Sequence, residues 1–210
     1  MVNAEFHTPE PAELGVLCWR FDRPTAVLSS AAVGGGARQA NWVLNVRVPL
    51  KYDRVDLAEH AAEVASALDL EGEGVTLFTA TPLERRARGG HGDVVVDATS
   101  GVTKPTWAAD ERGGWTDWQP GTINIVAQLP SPLTAAAAVN AVITMTEAKT
   151  QALFDLGIPG TGTASDAVVV CWPDGVGEAE VFGGPRSPLG SSLAIATHAA
   201  VHQSAGANQR

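Results

Sequence analysis

Four short stretches set hydroxyls, amides and carboxylates beside glycine-rich turns or strand ends, where ligand sites tend to form. In GTINI, Gly121 to Ile125, a strand would put Thr122 and Asn124 on one face and Ile123 and Ile125 on the other. The polar pair could then face a pocket while the isoleucines hold the core, and the amide of Asn124 can donate and accept at once. The bland alternative is a β-prone threonine and an asparagine that satisfies a neighbouring loop. In LSSAAVGGGARQANWVLN, Ser29 and Ser30 close a strand and Asn41 and Asn45 follow the turn. Gly34, Gly35 and Gly36 would let a backbone approach a ligand closely, or simply form a flexible hairpin loop.

Asn140, Thr144, Glu147 and Gln151 fall at i, i+4, i+7 and i+11 and form a polar stripe on a helix otherwise dominated by alanine. Such a stripe usually faces water, although the small residues would let the helix sit close to other elements. Glu147 and Lys149 are two apart and cannot face each other, so they serve different neighbours. In PGTGTASDAVVV a Gly/Thr/Ser turn delivers Asp166 to the head of an apolar strand, as a turn cap or a site residue. The stretch matches neither GxxxxGK[ST] nor GxGxxG, which gives phosphate binding little support.

Other chemistry finds less support. His198 and His202 have a spacing that could bind a metal from one helix face, but two ligands are not a site. No HExxH occurs, and His7, His60 and His91 lie in unrelated contexts, so no metal is expected. Trp42, Trp107, Trp115 and Trp118 could stack on a flat ligand, while singly each is more often packing. Cys18 and Cys171 are isolated in apolar runs and read as reduced core thiols.

The elements that must position these groups follow from periodicity. Strands are expected at VLCWRF from Val16, TAVLSS from Thr25, WVLNVRV from Trp42, VTLFTAT from Val75 and DVVVDATSGVT from Asp93. TINIVAQL from Thr122, DAVVVCW from Asp166 and EAEVFGG from Glu178 complete the set. Helices are expected over about 55–68, about 132–156 with Ser131 as cap, and from near Ser187 or Ser191 to about His202, followed by a frayed tail. The order predicts an α+β fold: a mixed, largely antiparallel β-sheet layered with about three α-helices.

The 210 residues read as a single domain, 1–210, with a core over about 14–203. A formal charge of -9, from 14 basic and 23 acidic residues, argues against nucleic acid, which needs a clustered basic surface. The densest basic run, Arg85, Arg86 and Arg88, reads as a solvated loop. Prolines and asparagines break the uncharged run 118–146, so no membrane span is expected, and the N-terminus lacks the pattern of a signal peptide. The protein is expected to be cytoplasmic. An apolar, alanine-rich helix could equally face a partner subunit, which leaves a homo-oligomer open.

Taken in order, LSSAAVGGG with NWVLNVRVPLKY, then FTAT, ATSGVTKPTWA, GTINI, AVNAVITMTEAKTQALFDLGI and GTGTASDAVVV resemble the adenosylcobinamide amidohydrolase family, over roughly Ala26 to Ala200. The succession GTINI, TEAK, GTGTxSD is far more specific than any one piece. The resemblance implies hydrolysis of the amide joining aminopropanol to the corrin ring of adenosylcobinamide, giving adenosylcobyric acid for corrinoid salvage. The matching positions are Ser29, Ser30, Gly35, Asn45, Gly121, Thr122, Asn124, Glu147, Lys149, Thr163 and Asp166. The sequence departs from the family pattern at Ala164-Ser165, where a more hydroxyl-rich pair is expected before the aspartate.

The resemblance carries no catalytic assignment, so roles rest on residue chemistry. Amide hydrolysis needs a nucleophile, a proton donor for the leaving amine and donors to the oxyanion. Glu147, on a helix expected to be buried, is favoured as acid/base, with Asp166 second. Asn124, Asn45 or a backbone N–H of Gly34 to Gly36 would serve the oxyanion. A hydroxyl of Ser29, Ser30 or Thr122, or a water, would attack. Lys149 would hold Glu147's partner or a propionamide of the ring, and Trp42 and Thr163 complete the expected binding set. The corrinoid is then substrate, and no cofactor is expected. Two other readings remain open: a corrinoid-binding protein without chemistry, and a cytosolic amidase acting on another amide.

Overall fold

The computed structural model describes residues 1–111, 121–175 and 177–207. Its elements run β1 (Glu5–His7), β2 (Val16–Ser29), β3 (Gly36–Arg47), α1 (Leu57–Ala67), β4 (Gly74–Thr79), β5 (Ala87–His91), β6 (Val94–Gly101), β7 (Thr122–Gln128), α2 (Ala135–Asp155), β8 (Ala167–Trp172) and α3 (Pro188–Gly206). The strands form one eight-stranded sheet in the order β4-β3-β2-β8-β7-β6-β5, with β1 added to β2. Among the described strands only β3–β4 and β7–β8 are parallel pairs. The fold is therefore α+β, with a mixed, largely antiparallel sheet and three α-helices among the described residues.

The sheet curls over on itself. Strands β3 and β7 are not neighbours, yet Asn45 and Asn124 share a hydrogen bond. Inside the curl, Leu17, Trp19, Val43 and Leu77 meet Val126, Val169 and Cys171. Outside it, α2 and α3 cover the β6–β8 half through Ile123, Ile125, Met145, Leu153 and Leu193. The other half packs Leu44 and Val46 against Val64 of α1. Burying both faces removes the apolar surface that drives folding from water, and the outer edge of β4 is partly covered, with Thr76 N donating to Val33 O at 3.0 Å.

Several element boundaries differ from the sequence expectation for local reasons. The runs at Val16 and Thr25 are one 14-residue strand, β2, whose register shifts between Arg20 and Thr25. Pro24, which has no N–H to offer a ladder, sits in that irregularity. Strand β5 was hidden by its glycines, which are there because α3 lies directly on it: a Cβ at Gly89 would stand 2.1 Å from Ala196 O. EAEVFGG is no strand. It contributes one bridge, Leu133 to Glu180, and then passes Gly183 beneath α2, where Thr144 Oγ1 donates to Gly183 O.

Helix α2 begins one turn later than expected, with Thr134 rather than Ser131 as its cap; Thr134 Oγ1 accepts from Ala137 N. It stops before Gly157, whose φ of +69° suits the left-handed turn that ends helices. Ser187 caps α3 as expected, but α3 continues to Gly206, and Ser204 and Ala205 are buried rather than frayed. Among the described residues no helix is long and apolar enough to cross a membrane.

Candidate functional site

A cavity of about 400 Å³ opens between β4 and the starts of β7 and β8. Thr122, Asn124, Ser165 and Asp166 form its polar wall, and Tyr52, Leu57, Leu77 and Phe78 an apolar and aromatic one. Thr122 and Asn124 do share the face opposite Ile123 and Ile125, which are buried under the helices. The strand alternation thus delivers both polar groups to the cavity.

Asp166 ties this corner together. Its Oδ1 accepts from Ile123 N at 2.9 Å and from Thr163 Oγ1, and its Oδ2 from Lys149 Nζ at 2.5 Å and Thr163 N at 3.1 Å. A carboxylate offers about four lone-pair sites, and here the protein occupies them. Two glycines make the corner possible. A Cβ at Gly162 would stand 2.3 Å from Asp166 Oδ2 and 2.5 Å from Lys149 Nζ, and one at Gly121 would stand 2.7 Å from Gly101 O.

Above the carboxylate lies a hydroxyl pair. Thr122 Oγ1 and Ser165 Oγ are 2.7 Å apart, and Ser165 Oγ is also 3.1 Å from Gly121 O. Deeper in, Asn45 Nδ2 donates to Thr99 Oγ1 at 2.9 Å. Asn124 Nδ2 donates to Asn45 Oδ1 at 2.8 Å and to Phe78 O at 3.0 Å. Asn124 Oδ1 is buried and has no hydrogen-bond partner among the described residues.

The aromatic wall is itself braced. Tyr52 stacks on Phe78 with ring centroids 6.0 Å apart, and its hydroxyl lies 2.6 Å from His60 Nδ1. His60 Nε2 is 3.0 Å from Pro11 O, a carbonyl that can only accept, so Nε2 carries the proton and Nδ1 accepts from Tyr52. Burial is the main cause that raises the Tyr52 pKa above its ordinary value.

The remaining expected site residues lie elsewhere or serve the fold. Glu147 is exposed on α2 and does not line the cavity, contrary to the buried position expected of it. Two residues along a helix is a rotation of about 200°, so with Lys149 turned inward Glu147 must turn out. Lys149 pairs with Asp166 rather than with any partner of Glu147. Ser29 is buried and committed, donating to Val168 O and accepting from Ala31 N. Ser30 lines the cavity, while its Oγ accepts from Val168 N at 3.1 Å.

The glycine loop approaches the protein, not a ligand. A Cβ at Gly34 would stand 2.3 Å from Gly74 O and one at Gly35 2.3 Å from Ala31 O, whereas Gly36, at φ +84°, only turns the chain. Ala31 and Ala32 line the cavity in their place. Trp42 is core, its indole lying over Gly74. Thr163 braces Asp166 from below, and Asn45 orients Asn124. Trp107 is exposed, and Trp115 and Trp118 lie outside the described residues. His198 stacks on His202 and pairs with Asp155 at 2.8 Å, away from the cavity.

Ser165, Tyr52, Phe78 and Thr99 were not among the expected site residues. Ser165 had a signal, a hydroxyl immediately before Asp166 in the turn; the others become neighbours only through the curl of the sheet.

The cavity thus gathers hydroxyls and oriented amides around a pinned carboxylate. The chain belongs to the adenosylcobinamide amidohydrolase family, whose model matches residues 2–210. It is 30% identical over 189 residues to an adenosylcobinamide amidohydrolase of Halobacterium salinarum, covering 86% of this chain and 80% of that one. It is 29% identical over 143 residues to an adenosylcobinamide amidohydrolase of Methanosarcina mazei, covering 68% of each. The crystal structure of the PH0078 protein from Pyrococcus horikoshii OT3 is similar over 90% of this chain and 76% of that chain, with 13% identity and a TM-score of 0.43.

Proposed function

We propose that the protein hydrolyses the amide linking aminopropanol to the corrin ring of adenosylcobinamide, releasing adenosylcobyric acid for corrinoid salvage. The observation that carries this reading is the convergence of Thr122, Asn124 and Ser165 on one cavity of about 400 Å³, in a chain of this family. A corrin with its amide arms is larger than that cavity. Only the aminopropanol arm enters, along the aromatic wall of Tyr52 and Phe78, and the ring stays outside the cavity. The ring's other carboxamides survive because they are held outside, so selectivity comes from placement rather than from amide reactivity.

The Thr122–Ser165 hydroxyl pair governs attack at the scissile carbonyl. Asp166 and Lys149 are positioning residues: with both carboxylate oxygens occupied, they fix the starts of β7 and β8 and hence the hydroxyls. Glu147 takes no part. Incubation of the full chain with adenosylcobinamide, with and without a chelator, tests the reading by mass spectrometry. Equal amounts of adenosylcobyric acid and aminopropanol are expected in both arms. Loss of product on chelation would end the metal-free version, and intact substrate in both arms would end the proposal.

A further inference from the structure

The orientation of the Asn124 amide follows from its neighbours rather than from its own shape. Phe78 O can only accept, so Asn124 must turn its NH₂ toward it. The second hydrogen of that NH₂ goes to Asn45, which must therefore present its oxygen and donate its own NH₂ to Thr99 Oγ1. Asn124 Nδ2 has no hydrogen left for an oxyanion, which overturns the donor role its residue type suggested. Its Oδ1 is the uncommitted group, in a residue 2% exposed and lining the cavity.

A buried acceptor without a donor is unfavourable, and a ligand that supplies the donor relieves it. Thr122 lies two residues away on the same strand face, about 6.6 Å along the chain. A secondary amide whose carbonyl carbon lies at the Thr122–Ser165 pair can therefore direct its N–H toward Asn124. We propose that Asn124 Oδ1 accepts the N–H of the scissile amide, making Asn124 the residue that confines hydrolysis to amides bearing a hydrogen on nitrogen. The inference rests on the amidohydrolase reading above and adds the direction in which the bond is held.

The test is a two-by-two comparison of kcat/KM. Wild type and Asn124→Ala are each given adenosylcobinamide and its analogue methylated on the linking nitrogen. Wild type is expected to prefer the N–H substrate by at least about 100-fold, the scale of discrimination when a site's polar group is left unpaired. Asn124→Ala is expected to lose activity on the N–H substrate alone, so that the preference falls below about fivefold. A purely structural Asn124 would lower both substrates equally and preserve the preference, which overturns the proposal. Wild type turning over both substrates alike overturns it without any variant, so misfolding of Asn124→Ala does not protect it. Failure of wild type to cleave adenosylcobinamide itself is a different result and sinks the proposed function instead.

Discussion

Lys149 Nζ lies 2.5 Å from Asp166 Oδ2, and through this contact α2 is fastened to the turn that starts β8. Both side chains are largely shielded, 9% and 13% exposed. Removing one member of such a pair strands the other charge away from water, which is more damaging than losing the pair as a whole. Lys149→Met should therefore lower unfolding stability by about 3 kcal/mol, read from denaturant midpoints. The double variant Lys149→Met with Asp166→Leu should be less destabilised than the sum of the two singles. Additive losses would show that the two side chains act independently.

Glu147 supplies a contrast on the same helix. It is exposed and faces away from the cavity, so Glu147→Gln should keep kcat/KM within about twofold of wild type, as ordinary surface substitutions do. Asp166→Asn should not. An amide there would point its NH₂ at groups that already donate to the carboxylate, namely Lys149 Nζ with Thr163 N, or Ile123 N. A collapse of activity in Glu147→Gln would return the acid/base role to α2.

The sequence made the layers legible because they depend on local periodicity: alternation in TINIVAQ, the alanine face of α2 and the Ser187 cap of α3 all appear in the structure. Thr122 and Asn124 were readable for the same reason. What could not be read was the direction of a helical side chain relative to a sheet not yet assembled, which is why Glu147 was favoured over Lys149's true partner. The Asn45–Asn124 contact spans 79 positions and exists only because the sheet curls. The glycines at 34 and 35 misled in the opposite way, since close approach of backbone was foreseen but its object was the chain itself.

The two cysteines test the dryness of two separate cores, Cys171 inside the curl and Cys18 in the layer under α1. Burial pushes the Cys18 thiol from its ordinary value of 9.0 up to about 11, and it pushes Cys171 up as well. A thiol whose pKa is raised on folding contributes stability below its unfolded pKa and loses it as pH climbs through the folded one. Stability should therefore decline from about pH 9 upward, reaching beyond pH 11. At about pH 8.5, where an unfolded thiol is partly ionised, iodoacetamide should leave the native protein unlabelled and modify both free cysteines after denaturation. Rapid labelling of the native chain would mean that the interior opens to solvent.

The hydroxyl pair carries the most direct test of the chemistry. Thr122 Oγ1 and Ser165 Oγ, 2.7 Å apart, stand at the cavity wall two residues along the strand from Asn124. Thr122→Val keeps the shape of a residue only 6% exposed and removes its hydroxyl, while Ser165→Ala removes the partner. If the pair directs attack, each change should lower kcat by about 100-fold, the usual contribution of one positioned proton-transfer group. KM should move little if, as proposed, the ring is held outside the cavity and away from the hydroxyl pair. Thr122→Ser restores a hydroxyl at the same place and should recover most of the rate, which a packing role for the methyl would not allow. Circular dichroism keeps folding out of the comparison. If Thr122→Val and Ser165→Ala both stay within about twofold of wild type, attack is directed from another part of the cavity.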